Sequence, residues 1–132
     1  MDIKDLRIGD VVTVKTYSKT SKRITRVASL DECGEVQVND NDGSVISYSL
    51  FDLEFVKVTK ELLSLWGAWY DDKKAEYIIT FRGGLRIAIR PQVGTDNYIA
   101  TPIGSYRPKY CKFIYAHTLQ HWLWDIYKVD LV

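Results

Sequence analysis

Two turns that depend on glycine, Asp42-Gly43 and Gly83-Gly84, lie between segments in which apolar and polar residues alternate. A two-residue hairpin turn needs positive φ, which glycine adopts freely, and its twist matches that of paired strands. Alternation with a period of two puts one side of each strand toward a core. A chain punctuated in this way folds as antiparallel hairpins. Before residue 58 the pattern gives five short strands: Val11 to Val14, Arg23 to Val27, Glu35 to Val38, Val45 to Leu50 and Leu53 to Val58. Five strands joined by polar turns predict a small SH3-like β-barrel, with a three- or four-stranded meander as the alternative.

The remainder reads differently. Thr59 is placed to cap a short helix, Glu61 suits its positive end, and Leu62, Leu63 and Trp66 share one side until Gly67 ends it. Glu76 to Phe81 and Leu85 to Arg90 flank the Gly83-Gly84 turn. A two-residue turn there pairs Phe81 with Arg86, Thr80 with Ile87, Ile79 with Ala88, Ile78 with Ile89 and Tyr77 with Arg90. One face then carries Ile78, Thr80, Leu85, Ile87 and Ile89, and the other Tyr77, Ile79, Phe81, Arg86, Ala88 and Arg90. Tyr98 to Thr101 and Tyr110 to Ile114 are candidate strands. A closing helix is expected from Ala116 to Tyr127, with Tyr115, Leu119, Trp122, Leu123 and Ile126 at helical spacing. The fold expected is α+β, a single domain over 1–132. Its β-rich half is 1–58; residues 59–132 supply a short helix, a second antiparallel sheet and a C-terminal helix packed on it.

At 132 residues, 46% of them hydrophobic, the chain can bury a core without a covalent staple. The net charge is +1, split as −2 over residues 1–58 and +3 over 59–132, so no global field draws it to nucleic acid or to an anionic membrane. Cys33 and Cys111 form neither a disulfide framework nor a metal-ligand spacing. The charged start Met1-Asp2-Ile3-Lys4-Asp5 is unlike a signal sequence, and no apolar run reaches the ~20 residues of a membrane span. A reducing, cytoplasmic setting is expected.

Three segments, Leu6-Arg7-Ile8-Gly9-Asp10, Val58-Thr59-Lys60-Glu61-Leu62-Leu63-Ser64-Leu65-Trp66-Gly67 and Tyr115-Ala116-His117-Thr118-Leu119-Gln120, occur in this order. Together they resemble a family of small uncharacterised proteins of gut bacteria and their phages. Its members open with LRIGN, carry T-x-E-W-L-x-x-F-G-F midway and end in a helix beginning VHQLQN. Asp10 here stands in place of the usual Asn. The resemblance implies a layout and a phage or mobile-element setting, and no chemistry.

His117 and His121, four apart on one helix, could hold a metal ion. Zinc needs three or four ligands, and Asp125 lies two turns, about 11 Å, from His117; a packed helix start is the simpler role. The Tyr77, Phe81, Arg86 and Arg90 face could stack bases and hold phosphates, or could lie beneath the last helix with arginine stems over the rings. Lys15, Lys19, Lys22, Arg23 and Arg26 form a basic stretch without an acid, suited to phosphate contacts or to a solvated hairpin. Catalysis has no motif: Cys111 with His117 lacks an orienting third group, and Asp40, Asp42, Asp71 and Asp72 are turn acids first. No cofactor is expected. Aromatics exceed what a minimal core needs, and Trp69, Tyr70, Tyr106 and Trp124 are the expected exposed anchors. The function expected is a non-catalytic protein-interaction module. A nucleic acid is the alternative partner, no membrane is expected, and self-association through an edge strand stays open.

Overall fold

The computed structural model describes residues 5–14, 23–31, 35–39, 43–104 and 109–131. The chain divides into two compact units, Met1–Val56 and Lys57–Val132. The break falls just before the one drawn from the sequence because Lys57 bridges to Tyr115 and the Val58 N–H donates to the Ile114 carbonyl at 2.9 Å. The second and third family-like segments therefore lie side by side, tied through the backbone.

The first unit holds β1 (Val11–Val14), β2 (Arg23–Leu30), β3 (Glu35–Asn39), β4 (Val45–Ser49) and β5 (Leu53–Phe55). They form one antiparallel sheet in the order β4-β3-β2-β1-β5. The residues of β2 from Arg23 to Arg26 pair with β1, and those from Val27 to Leu30 pair with β3, across a register shift between Val27 and Ser29. A 3-10 turn at Leu50–Asp52 leads into β5, its start capped by the Ser49 hydroxyl accepting from Phe51 N–H. Among the described residues β4 and β5 do not pair, so the sheet stays open where a barrel was expected. Its core is Leu6, Val12, Val14, Val27, Val36, Val38 and Leu53.

The LRIGD segment is a built turn in this unit. Arg7 N–H donates to Asp10 Oδ2 at 2.8 Å, and Asp10 N–H returns to the Arg7 carbonyl at 3.1 Å. Gly9 N–H and the Asp10 carbonyl bond Val27 at 2.8 and 2.9 Å. Gly9 holds φ +93°, a conformation with little strain only for glycine.

The second unit holds α1 (Lys60–Leu65), β6 (Trp69–Asp71), β7 (Glu76–Thr80), β8 (Arg86–Pro91), β9 (Tyr98–Pro102), β10 (Cys111–Phe113) and α2 (Ala116–Tyr127). Thr59 Oγ1 accepts from Leu62 N–H at 3.2 Å and caps α1. At the other end Gly67 N–H bonds the Ser64 carbonyl and Ala68 N–H the Leu63 carbonyl, with Gly67 at φ +84°. This is the paired closure that makes glycine the preferred residue there.

β6 to β10 form an antiparallel meander in the order β10-β9-β8-β7-β6. The Gly83-Gly84 hairpin is not a two-residue turn. Phe81 N–H donates to the Leu85 carbonyl at 2.7 Å, leaving Arg82, Gly83 and Gly84 as a three-residue loop in a single 3-10 turn. Tyr77 consequently pairs with Ile89, Ile78 with Ala88, Ile79 with Ile87 and Thr80 with Arg86, one residue from the expected register. A one-residue slip exchanges which residues of the two strands share a face.

The faces are thus re-partnered. An isoleucine face carries Tyr70, Tyr77, Ile79, Ile87, Ile89, Tyr98, Ala100, Cys111 and Phe113, and its central members are buried. The opposite, arginine face carries Trp69, Asp71, Glu76, Ile78, Thr80, Arg86, Ala88, Arg90, Ile99, Thr101 and Lys112. The helix α2 packs against β10 with Ala116, His117, Leu119, Gln120 and Leu123 buried. Its buried stripe is rotated from the expected one: Trp122 is half-buried and Ile126 exposed. Among the described residues no helix is long and apolar enough to cross a membrane.

Candidate protein-binding surface

The edge strand β6 follows the Gly67 turn and is three residues long. Successive side chains of a strand point to opposite faces, so Trp69 stands on the arginine face and Tyr70 on the isoleucine face. Both are 48% exposed, and Leu65 at the end of α1 is exposed as well. Tyr70 meets the Tyr77 ring at 4.9 Å, and Tyr98 stacks on Phe113 at 5.8 Å. Burial, with Tyr77 and Glu61 beside it, raises the Tyr98 phenol above its ordinary range. On α2, Trp124 is 51% exposed, with Lys128 Nζ 5.7 Å above its ring. Three of the four expected anchors are therefore accessible; Tyr106 lies outside the described residues.

On the arginine face a row of four residues crosses the strands: Trp69, Ile78, Ala88 and Thr101. Beside it runs a charged row of Asp71, Glu76, Arg90, Ile99 and Lys112. Glu76 is buried and its Oε2 lies 3.4 Å from Arg90 Nη2. Asp71 Oδ1 accepts from Lys73 N–H at 3.0 Å, holding its own turn. Arg86, Arg90 and Lys112 are exposed.

The expected pairing of Tyr77 and Phe81 with Arg86 and Arg90 does not form. The three-residue loop puts the two rings on the side away from the two arginines, so no base-stacking face of that composition exists. The basic stretch is only partly described. Lys15, Lys19 and Lys22 lie outside the described residues, and Arg23 is placed by its backbone, paired with Val14. Arg26 Nε donates to the Gly9 carbonyl at 3.1 Å and so braces the LRIGD turn.

No family model, curated protein or solved structure matches the chain.

His117 and His121 do come together, their rings 5.5 Å apart and edge to face, with Tyr115 5.8 Å from His117. Among the described residues no third His, Cys, Asp or Glu joins them as a metal-binding group. His117 is buried at the start of α2, and the pair packs the helix end. Burial pushes the Cys111 thiol up to about 11, opposite to the depression a nucleophile needs. Asp40 and Asp42 lie outside the described residues.

Glu76, buried against Arg90, and the exposed Lys112 are the residues of this face that sequence reasoning missed. The signal for Glu76 was present: a three-residue loop centred on Gly83 sets Glu76 opposite Arg90, and opposite charges on facing strand positions attract.

Proposed function

We propose that this chain is a non-catalytic protein-interaction module that docks a partner on the exposed rings around β6, with Trp69 and Tyr70 as its anchors. The observation that carries this reading is that two adjacent aromatic residues on an edge strand are each half exposed. Rings of this kind supply large contact area at small entropic cost and dominate interface energetics. An edge strand also offers its outer backbone groups to an incoming segment.

Three features support an SH3-like layout for the first unit, open between β4 and β5 among the described residues. These are its strand order, the handover of β2 from β1 to β3 at a register shift, and the 3-10 turn before β5. The raised Cys111 thiol and the turn role of Asp71 argue against a catalytic part for these two groups. A phage or mobile-element setting rests on the three family-like segments, and a cytoplasmic one on the two widely spaced cysteines, Cys33 and Cys111.

The test is capture with the tagged full chain from a lysate of its source cells, with and without nuclease. A defined protein is expected to stay after nuclease, and the Trp69→Ala Tyr70→Ala double variant is expected to hold it at least about tenfold less. Both side chains are half exposed, so the variant should fold as the parent does. Material that vanishes with nuclease would overturn the proposal in favour of nucleic acid.

A further inference from the structure

We propose that the isoleucine face holds a methylated ammonium group between the rings of Tyr77 and Tyr98, with the Glu61 carboxylate beside them. The site goes beyond the protein-interaction reading: it assigns a ligand, and it stands whether or not a protein carries that ligand.

Tyr77 on β7 and Tyr98 on β9 project from the same side of the sheet with β8 between them. They stand about 10 Å apart across the strands and two residues out of line. A cation can lie within about 6 Å of both rings across such a gap. Each wall is two rings deep. Tyr70 tilts against Tyr77 at 4.9 Å and 52°, and Phe113 stacks on Tyr98 at 5.8 Å and 23°. Pro91, opposite Tyr98 on β8, is exposed, and Tyr77 and Tyr98 are half-buried, so the gap opens to solvent above the proline. Ile89, the next residue of β8 on this face, is fully buried and closes the inner end. Glu61, exposed in the first turn of α1, stands close enough to Tyr98 to act on its phenol, as Tyr77 does.

The charge of the site selects the ligand. No strand residue on this face is charged, because the register sends Asp71, Glu76, Arg86, Arg90 and Lys112 to the other. Glu61 supplies negative charge, and among the described residues no salt bridge engages it. The faces of the tyrosine rings are negative as well. A bare ammonium holds its water tightly. A methylated one is weakly hydrated and spreads its charge over methyl groups that lie well against rings. Aromatic walls with one carboxylate therefore suit a methylated or quaternary ammonium. Two sources share that chemistry: a free quaternary amine and a methylated lysine side chain on a protein.

The test is isothermal titration of the full chain at low salt with choline, the blocked amino acids trimethyl-lysine and lysine, and dimethylbutanol, the neutral carbon isostere of choline. At least one methylated cation is expected to bind about tenfold or more tightly than the isostere and unmethylated lysine. Choline as the tighter of the two assigns a free amine as the source; trimethyl-lysine as the tighter assigns a protein side chain. Tyr98→Leu should lose about fivefold or more, Tyr98→Phe less than about twofold, and Glu61→Gln about two- to fivefold. Trp69→Ala, on the opposite face, should change nothing. Thermal melts accompany each variant. If Tyr98→Leu melts early, Glu61→Gln and the neutral isostere decide the matter. Binding of neither methylated cation, equal binding of the isostere, or full affinity in Glu61→Gln would overturn the proposal. Capture tests the interaction reading separately: a chain that retains no protein but binds choline keeps this site and loses that reading.

Discussion

Glu76 and Arg90 face each other across β7 and β8, with Oε2 3.4 Å from Nη2; the Glu76 side chain is 6% exposed and the Arg90 side chain 59%. The burial is one-sided, so the two partners are not equivalent. The carboxylate depends on this guanidinium for compensation, whereas the guanidinium keeps most of its water.

Removing Arg90 should therefore cost more than its exposure suggests. Arg90→Met is expected to destabilise by about 1–2 kcal/mol, well below the loss from breaking a fully buried pair because the guanidinium is solvated. Glu76→Gln should cost about 1 kcal/mol or less, and the double variant less than the sum of the two by about 0.5–1 kcal/mol. Urea denaturation of the four proteins gives the cycle directly. Strict additivity would mean that the contact contributes nothing.

Cys111 gives a stability that depends on alkaline pH. Burial raises its thiol from an ordinary 9.0 to about 11. The unfolded chain ionises first, so the contribution is fully present below pH 9 and is lost as pH rises through 11, amounting to about 2–3 kcal/mol. Burial also raises Tyr98 and Tyr127, so the parent should be compared with Cys111→Ala, which lacks the thiol but keeps both phenols. The difference in stability between the two should shrink across this range. In a Cys33→Ala background, which leaves Cys111 as the one thiol, Ellman's reagent at pH 8 should react only as fast as the chain unfolds.

The LRIGD turn separates a hydrogen-bonding role from a charge role. Asp10→Asn keeps an oxygen for Arg7 N–H and should hold stability to within about 0.5 kcal/mol, whereas Asp10→Ala should lose about 1–2 kcal/mol. Gly9→Ala should lose about 1–2 kcal/mol through φ alone, because an added Cβ would meet only Arg26 Nη2, at an ordinary 3.6 Å. Thermal melts of the three variants decide this. Destabilisation by Asp10→Asn equal to that by Asp10→Ala would show that the charge matters.

The sequence specifies structure directly where the physics is local. Thr59 and Gly67 bound α1 because a hydroxyl cap and a positive-φ glycine act within one helical turn. The closing helix runs from Ala116 to Tyr127 as its periodicity predicted. β6 escaped notice because three residues, Trp69 to Asp71, are too few to show alternation. The rotation of α2's buried stripe toward Ala116 and Gln120 was also hidden, since polar His117 and Gln120 are buried by their surroundings.

The sequence by itself determined the types of the longer elements, the antiparallel hairpins and the exposed aromatic residues Trp69, Tyr70 and Trp124, because propensity, turn chemistry and spacing act over a few residues. Only the tertiary structure decided how the faces are composed. The loop after Phe81 holds three residues instead of two, a choice made by the pairing of Tyr77 with Ile89 and Ile79 with Ile87 across the sheet. That choice separated the tyrosines from the arginines and set Glu76 beneath Arg90. Register is a sum over all strand contacts, and a glycine pair permits either loop, so the composition of the candidate surface could not be read from the turn alone.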